Sequence, residues 1–136
     1  MSEDQFEAGL RIRKEVLGEE YVDAALAKAD DFNRDFQKMV TGYCWGGSWG
    51  RGVLSKQQRS ILNLGMLAAL NRPHEFKLHF LGALTNGVTL AEIREILIQI
   101  SIYCGIPAGI EAFRIAREVF KEEGIDVSTM DSEGAE

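Results

Sequence analysis

The stretch NRPHEFKLHFLGALTNG, Asn71–Gly87, holds both histidines of a 136-residue chain. Pro73 suits the first turn of a helix, where its missing N–H costs nothing, and Gly87 can close that helix. At about 100° per residue, Glu75, His79, Gly82 and Asn86 fall on one stripe. Phe76, Phe80, Ala83 and Leu84 flank it on one side, and Leu78 and Leu81 on the other. Lys77 points away and reads as the water-facing residue. A polar stripe with apolar flanks is better placed to line a cavity or an interface than to face bulk water.

The sequence on either side has the same helical rhythm. Ser2 and Gln5 have capping-box spacing, Phe6, Leu10 and Leu17 recur near helical spacing, and Gly18 is a stop. From Glu19 onward Val22, Ala25, Leu26, Ala29, Phe32, Phe36, Met39 and Val40 predict one further helix. TGYCWGGSWGRG, residues 41–52, breaks that rhythm with five glycines and both tryptophans. It reads as a loop, whose aromatics either seal the core or wall a pocket beside Arg51. Ser55 and Gln58 cap a third helix, and the run ILNLGMLAAL is apolar nearly all round, as in a core or interface helix. Thr89 and Glu92 cap the helix after Gly87. Gly105 ends that one, Pro107 begins the last, and Gly124 ends it. No segment alternates like a strand. The fold class is all-α, a bundle of about six helices with short loops. Residues 1–124 make a single helical domain, and residues 125–136 an acidic tail that is mobile or docked on a neighbour.

Composition narrows the function. Apolar residues make up 46% and charged residues 26%, ordinary for a globular domain. The net charge of -6 disfavours nucleic acid and anionic lipid, so an anionic substrate needs a local cationic pocket. Nothing resembles a signal peptide or a membrane span, which predicts a cytoplasmic protein. Cys44 and Cys104 form no C-x-x-C pair, so they read as small apolar core residues rather than a redox or zinc motif. Glu75 and His79 form a candidate proton-handling pair, because burial and a neighbouring charge tune both groups toward neutral pH. His74 could reach the same cavity. Glu75 and His79 could also supply two metal ligands, but no further ligand cluster is visible, and no metal is expected.

Two quoted segments, YCWGGSWGR and LNLGMLAALNRPHEFKLHFLGALTNGVTLAEIREILIQISIYCGIPAGIEAFRIAREVF, resemble the carboxymuconolactone decarboxylase family. So does RKEVLGEEYVDAALAKADDFNRDFQ, and the similarity runs from Phe6 to Phe120. The wider alkylhydroperoxidase-D-like superfamily has a peroxide-reducing branch with a C-x-x-C-x-x-x-H segment. Aligning its histidine with His79 puts Arg72 and Glu75 where that branch has cysteines, so its thiol chemistry is not expected. The resemblance implies a cofactor-independent lyase that converts 4-carboxymuconolactone to 3-oxoadipate enol-lactone and carbon dioxide, in the protocatechuate branch of the β-ketoadipate pathway. It also implies an all-helical subunit assembling into rings, as trimers or hexamers. Under that reading His79 is the proton donor, Glu75 orients it, and His74 or Tyr43 serves the carbonyl oxygen. Arg51 and Arg72 hold carboxylates, with Arg59 an outside choice, and Tyr43 and Trp45 line the substrate site. Rival readings are a related lactone- or carboxylate-processing enzyme, a thiol-dependent peroxidase-like protein, and a non-catalytic helical assembly protein.

Overall fold

The computed structural model describes residues 1–130. Its elements are α1 (Glu3–Leu17), α2 (Glu19–Ala27), α3 (Arg34–Met39), a π-helix (Val40–Trp49), α4 (Lys56–Ala69), α5 (Pro73–Thr85), α6 (Leu90–Tyr103) and α7 (Ile106–Glu122). No strand occurs among the described residues, so the all-α expectation holds. The helices form two compact units, Met1–Arg59 and the residues from Ser60 onward. Of the expected tail, residues 131–136 lie outside the described residues, while Ile125 and Val127 pack on the core of the second unit.

In the first unit Ser2 caps α1 by accepting from the Gln5 backbone N–H at 3.0 Å. The Gln5 side chain does not complete the expected capping box. Its Nε2 donates to the Gly42 carbonyl at 2.9 Å instead, tying α1 to the π-helix. The single helix expected over 19–40 is two helices. Between them Asp30 Oδ1 accepts from the backbone N–H groups of Phe32 and Asn33, and Asn33 Oδ1 from that of Asp30. Short polar side chains of this kind capture backbone donors and stop a helix. Phe32, Phe36 and Met39, expected on a buried face, are consequently exposed.

The glycine-rich segment is not a loop but a wide helix, and the glycines are needed for close contact with α1. A Cβ on Gly9 would overlap the Thr41 carbonyl, and one on Gly46 would overlap the Gln5 carbonyl. Trp45 and Trp49 stack at 4.7 Å and join Ile12 and Val16 in the core of this unit. Arg13 is buried there too. Its Nη1 donates to Gln37 Oε1 and Thr41 Oγ1, both at 3.1 Å, and burial lowers its pKa.

The second unit is built on Leu64, Phe76, Phe80, Ile93, Leu97, Ile115, Val119 and Phe120. Phe80 meets the edge of Phe120 at 5.4 Å, which fixes α5 against α7. Lys77 does not simply face water. Its Nζ pairs with Glu118 at 2.7 Å and Glu122 at 3.0 Å on α7. The expected capping boxes at Ser55–Gln58 and Thr89–Glu92 are both complete. At the end of α4, Asn71 adopts φ 56°, while Arg72 N–H reaches the Leu67 carbonyl and Asn71 N–H the Ala68 carbonyl. This is the hydrogen-bond pattern of a Schellman ending, with asparagine in the left-handed position that glycine usually takes. It brings Arg72 directly to the N-terminus of α5.

The contact between α1 and the π-helix leaves no space for a methyl group. Gly9→Ala should destabilise the protein by about 1–3 kcal/mol, measured as a lower midpoint in denaturant. An unchanged midpoint would show that the backbones can separate freely.

Candidate active site

On α5 the apolar flank behaves as expected: Phe76, Phe80 and Ala83 are buried, Leu78 and Leu81 half-buried. The polar stripe is graded. Glu75 is exposed near the helix start, His79 is half-buried, Gly82 is buried and Asn86 is half-buried. His74, one position before Glu75, is exposed.

Helix α4 meets this stripe with polar groups of its own. The Asn63 amide nitrogen lies 3.5 Å from Nδ1 of His79. Asn86 Nδ2 donates to Ser60 Oγ at 2.9 Å, and Ser60 has no exposed surface. Ser60 and Asn63 are three apart, one turn of α4, so two polar contacts form a seam between α4 and α5. Asn63, Ser60 and Asn86 were not among the candidate residues from sequence. The signal for Asn63 was present, because it is the polar interruption in ILNLGMLAAL.

Burial lowers the His79 pKa from its usual value near 6.5, and the nearby Glu75 carboxylate opposes that shift. Desolvation is the larger cause, so the imidazole is neutral at pH 7. Glu75 thus acts on His79 through space, as the helical spacing suggested.

Arg72 lines a cleft of about 540 Å³ with Phe76, Tyr103, Cys104, Pro107 and Ile115, and neither His79 nor Glu75 is part of its wall. Tyr43, Trp45 and Arg51 belong to the first unit. Tyr43 and Arg51 are exposed, and Trp45 lies in that unit's core. Arg59 donates from Nη1 to Ser48 Oγ and from Nη2 to the Arg51 carbonyl. Cys44 and Cys104 are free thiols, and contrary to the core placement expected of them Cys44 is exposed and Cys104 half-buried. Among the described residues, no three His, Cys, Asp or Glu side chains gather as metal ligands. Nor is any helix there long and apolar enough to cross a membrane.

Residues 34–118, which include α4, α5 and the whole polar seam, match the carboxymuconolactone decarboxylase family. The chain belongs to that family. A 4-carboxymuconolactone decarboxylase of Acinetobacter baylyi is 40% identical over 123 residues, covering 90% of this chain and 92% of that protein. Nitrosuccinic acid decarboxylase npaB of Metarhizium robertsii is 41% identical over 117 residues, 86% of this chain and 82% of that protein. A 4-carboxymuconolactone decarboxylase of Pseudomonas putida is 45% identical over 47 residues, 34% of this chain and 98% of that one. Within this family member, then, the histidine-bearing helix and its α4 partner form one continuous matched segment.

The lowered pKa of His79 has a consequence for stability. In the unfolded chain the imidazole takes up its proton near pH 6.5, and in the folded chain only at lower pH. Below about pH 6.5 the unfolded state therefore binds more protons. The stability contributed by neutral His79 is complete above that pH and is lost as pH falls toward the folded value. Denaturant unfolding from about pH 5 to 8 should show this loss in the native chain and a shallower one in His79→Leu. Equal slopes in the two proteins would contradict it.

Proposed function

We propose that this chain is a carboxy-lyase that converts 4-carboxymuconolactone to 3-oxoadipate enol-lactone and carbon dioxide. The observation that carries this reading is the 40% identity to a 4-carboxymuconolactone decarboxylase along 90% of the chain. The substrate's own chemistry explains why side chains suffice. Its departing carboxylate sits on a carbon conjugated through a double bond to the lactone carbonyl. As the carbon–carbon bond breaks, its electron pair moves through the ring to the carbonyl oxygen as a dienolate, and carbon dioxide leaves. A proton then completes the product. The protein must bind a dianion, steady the oxygen and control where the proton goes.

His79 is the group that meets this developing charge, with Glu75 setting its protonation state and His74 beside them. The half-buried position of His79 strengthens any hydrogen bond it makes to an oxyanion, because competing water is reduced. Arg72 is suited to a carboxylate, through the paired N–H groups of its guanidinium. Arg51 and Tyr43 keep the substrate-binding roles that the family resemblance implies, whereas Trp45, in the core of its unit, serves packing. Residues 1–124 form one functional domain under this reading, working in the cytoplasm in protocatechuate catabolism.

A homo-oligomeric ring, a trimer or hexamer, belongs to the same proposal. Its support is exposed apolar surface on α6 and α7, where Ile102, Tyr103, Ile106 and Ile110 are 61–80% accessible. Large exposed apolar side chains clustered in this way mark interaction surfaces. Analytical ultracentrifugation should return three or six subunits, and a monomer at micromolar concentration would overturn the assembly.

A second reading rests on the npaB relative, whose identity to this chain is 41%. Nitrosuccinate is also a dicarboxylate with a built-in electron acceptor, its nitro group. Both substrates should therefore be offered to the purified chain. Turnover of the lactone above its spontaneous rate, with the larger kcat/KM, supports the first reading, while preference for nitrosuccinate replaces it. His79→Ala should lower lactone turnover by roughly 100-fold. Near-native turnover in that variant would remove His79 from the chemistry.

A further inference from the structure

The side-chain amide of Asn63 faces one particular nitrogen of His79. We infer that Asn63 is a positioning residue of the decarboxylation site, holding His79 as the neutral tautomer with its proton on Nε2. An amide NH2 group donates and cannot accept. The Asn63 nitrogen lies 3.5 Å from Nδ1 of His79, and a hydrogen bond between them requires Nδ1 to present its lone pair, which places the ring hydrogen on Nε2. An imidazolium would place a second N–H at Nδ1, directed at the amide hydrogens. Asn63 therefore opposes the charged ring through donor–donor conflict, burial opposes it through desolvation, and the two effects act in the same direction.

The seam makes this arrangement rigid. Asn63 is half-buried on α4, one turn after Ser60, which is fully buried and accepts from Asn86. Two polar contacts along a single helix pair fix the rotation of α4 against α5, and with it the distance from Asn63 to the ring. A neutral imidazole is a poor proton donor to carbon but a good hydrogen-bond donor to oxygen, a role neutral histidines fill in other enzymes. This replaces the proton-donor role that the family resemblance suggested for His79, and it rests on the decarboxylase reading. Nε2–H of His79 donates to the lactone carbonyl oxygen as it gains the electron pair of the broken carbon–carbon bond. The ring keeps its proton throughout, and the proton that completes the product comes from water.

The test reads the tautomer directly. With two histidines in the chain, a two-bond proton–nitrogen NMR correlation on 15N-labelled protein resolves both rings, and H74Q assigns them. His79 should show Nε2 protonated and Nδ1 bare at pH 7. A ring protonated at Nδ1, or a charged ring, overturns the inference without any assay of activity. Asn63→Asp replaces the donor by an acceptor and should move the proton to Nδ1, with lactone turnover falling by about 10–100-fold, by analogy with the loss of partners that orient metal-bound histidines. If His79→Ala abolishes turnover while Asn63→Asp keeps the native tautomer and rate, the positioning role fails and the decarboxylase reading stands. If the tautomer is as expected but the native chain leaves the lactone untouched, the decarboxylase reading fails and the Asn63 contact stands as structural chemistry alone.

Discussion

The contact between Phe80 and Phe120 is the one on which the site helix depends. Phe80 has no exposed surface, and its ring meets the edge of Phe120 at 5.4 Å. With Phe76 and Ala83 it turns the apolar side of α5 into the core of the second unit. A helix anchored along one side has no freedom to rotate. The stripe carrying His79 is thus set by apolar packing on the opposite side of the helix, and the ion pairs from Lys77 to α7 add a small, exposed contribution to the same orientation. Large aromatic side chains do this well, because each buries much area with few rotatable bonds.

Against that fixed frame the polar seam is an exception to the rule that cores are apolar. Ser60 is entirely buried and would be costly without a partner, and Asn86 supplies one. Asn63 and His79 repeat the pattern farther along the same pair of helices. Such contacts add little net stability, but they discriminate against any other register of α4 on α5, since a slipped register leaves buried polar atoms unpaired. The contacts that specify the packing of α4 on α5 thus include the one that faces the histidine.

How much of this was legible in the sequence depended on the range of the interactions. Local signals worked. Gly18, Pro73, Gly105 and the Thr89–Glu92 box mark helix ends because their effects are confined to a few neighbouring residues. The face of α5 was legible for the same reason, since periodicity reports which side is buried. The π-helix was not, because its form follows from the approach of Gly9 and Gly46 across a gap of more than thirty residues. The break between α2 and α3 was hidden by an apolar rhythm that continued through it, although Asp30 and Asn33 were there to stop the helix. Asn63 was visible as an oddity, but its partner depended on how two helices pack. Trp45 stood open between core and pocket, and its stacking on Trp49 puts it in the core of its unit.

The exposed isoleucines of α6 and α7 bear on how the protein behaves as a solute. Ile102, Ile106 and Ile110, together with Tyr103, leave a water-facing surface that a lone subunit must keep hydrated at a cost. Covering that surface through self-association would link folding stability to how much protein is present. Dilution would then act as a denaturant, and newly made chains would be most vulnerable to aggregation and proteolysis before they meet one another.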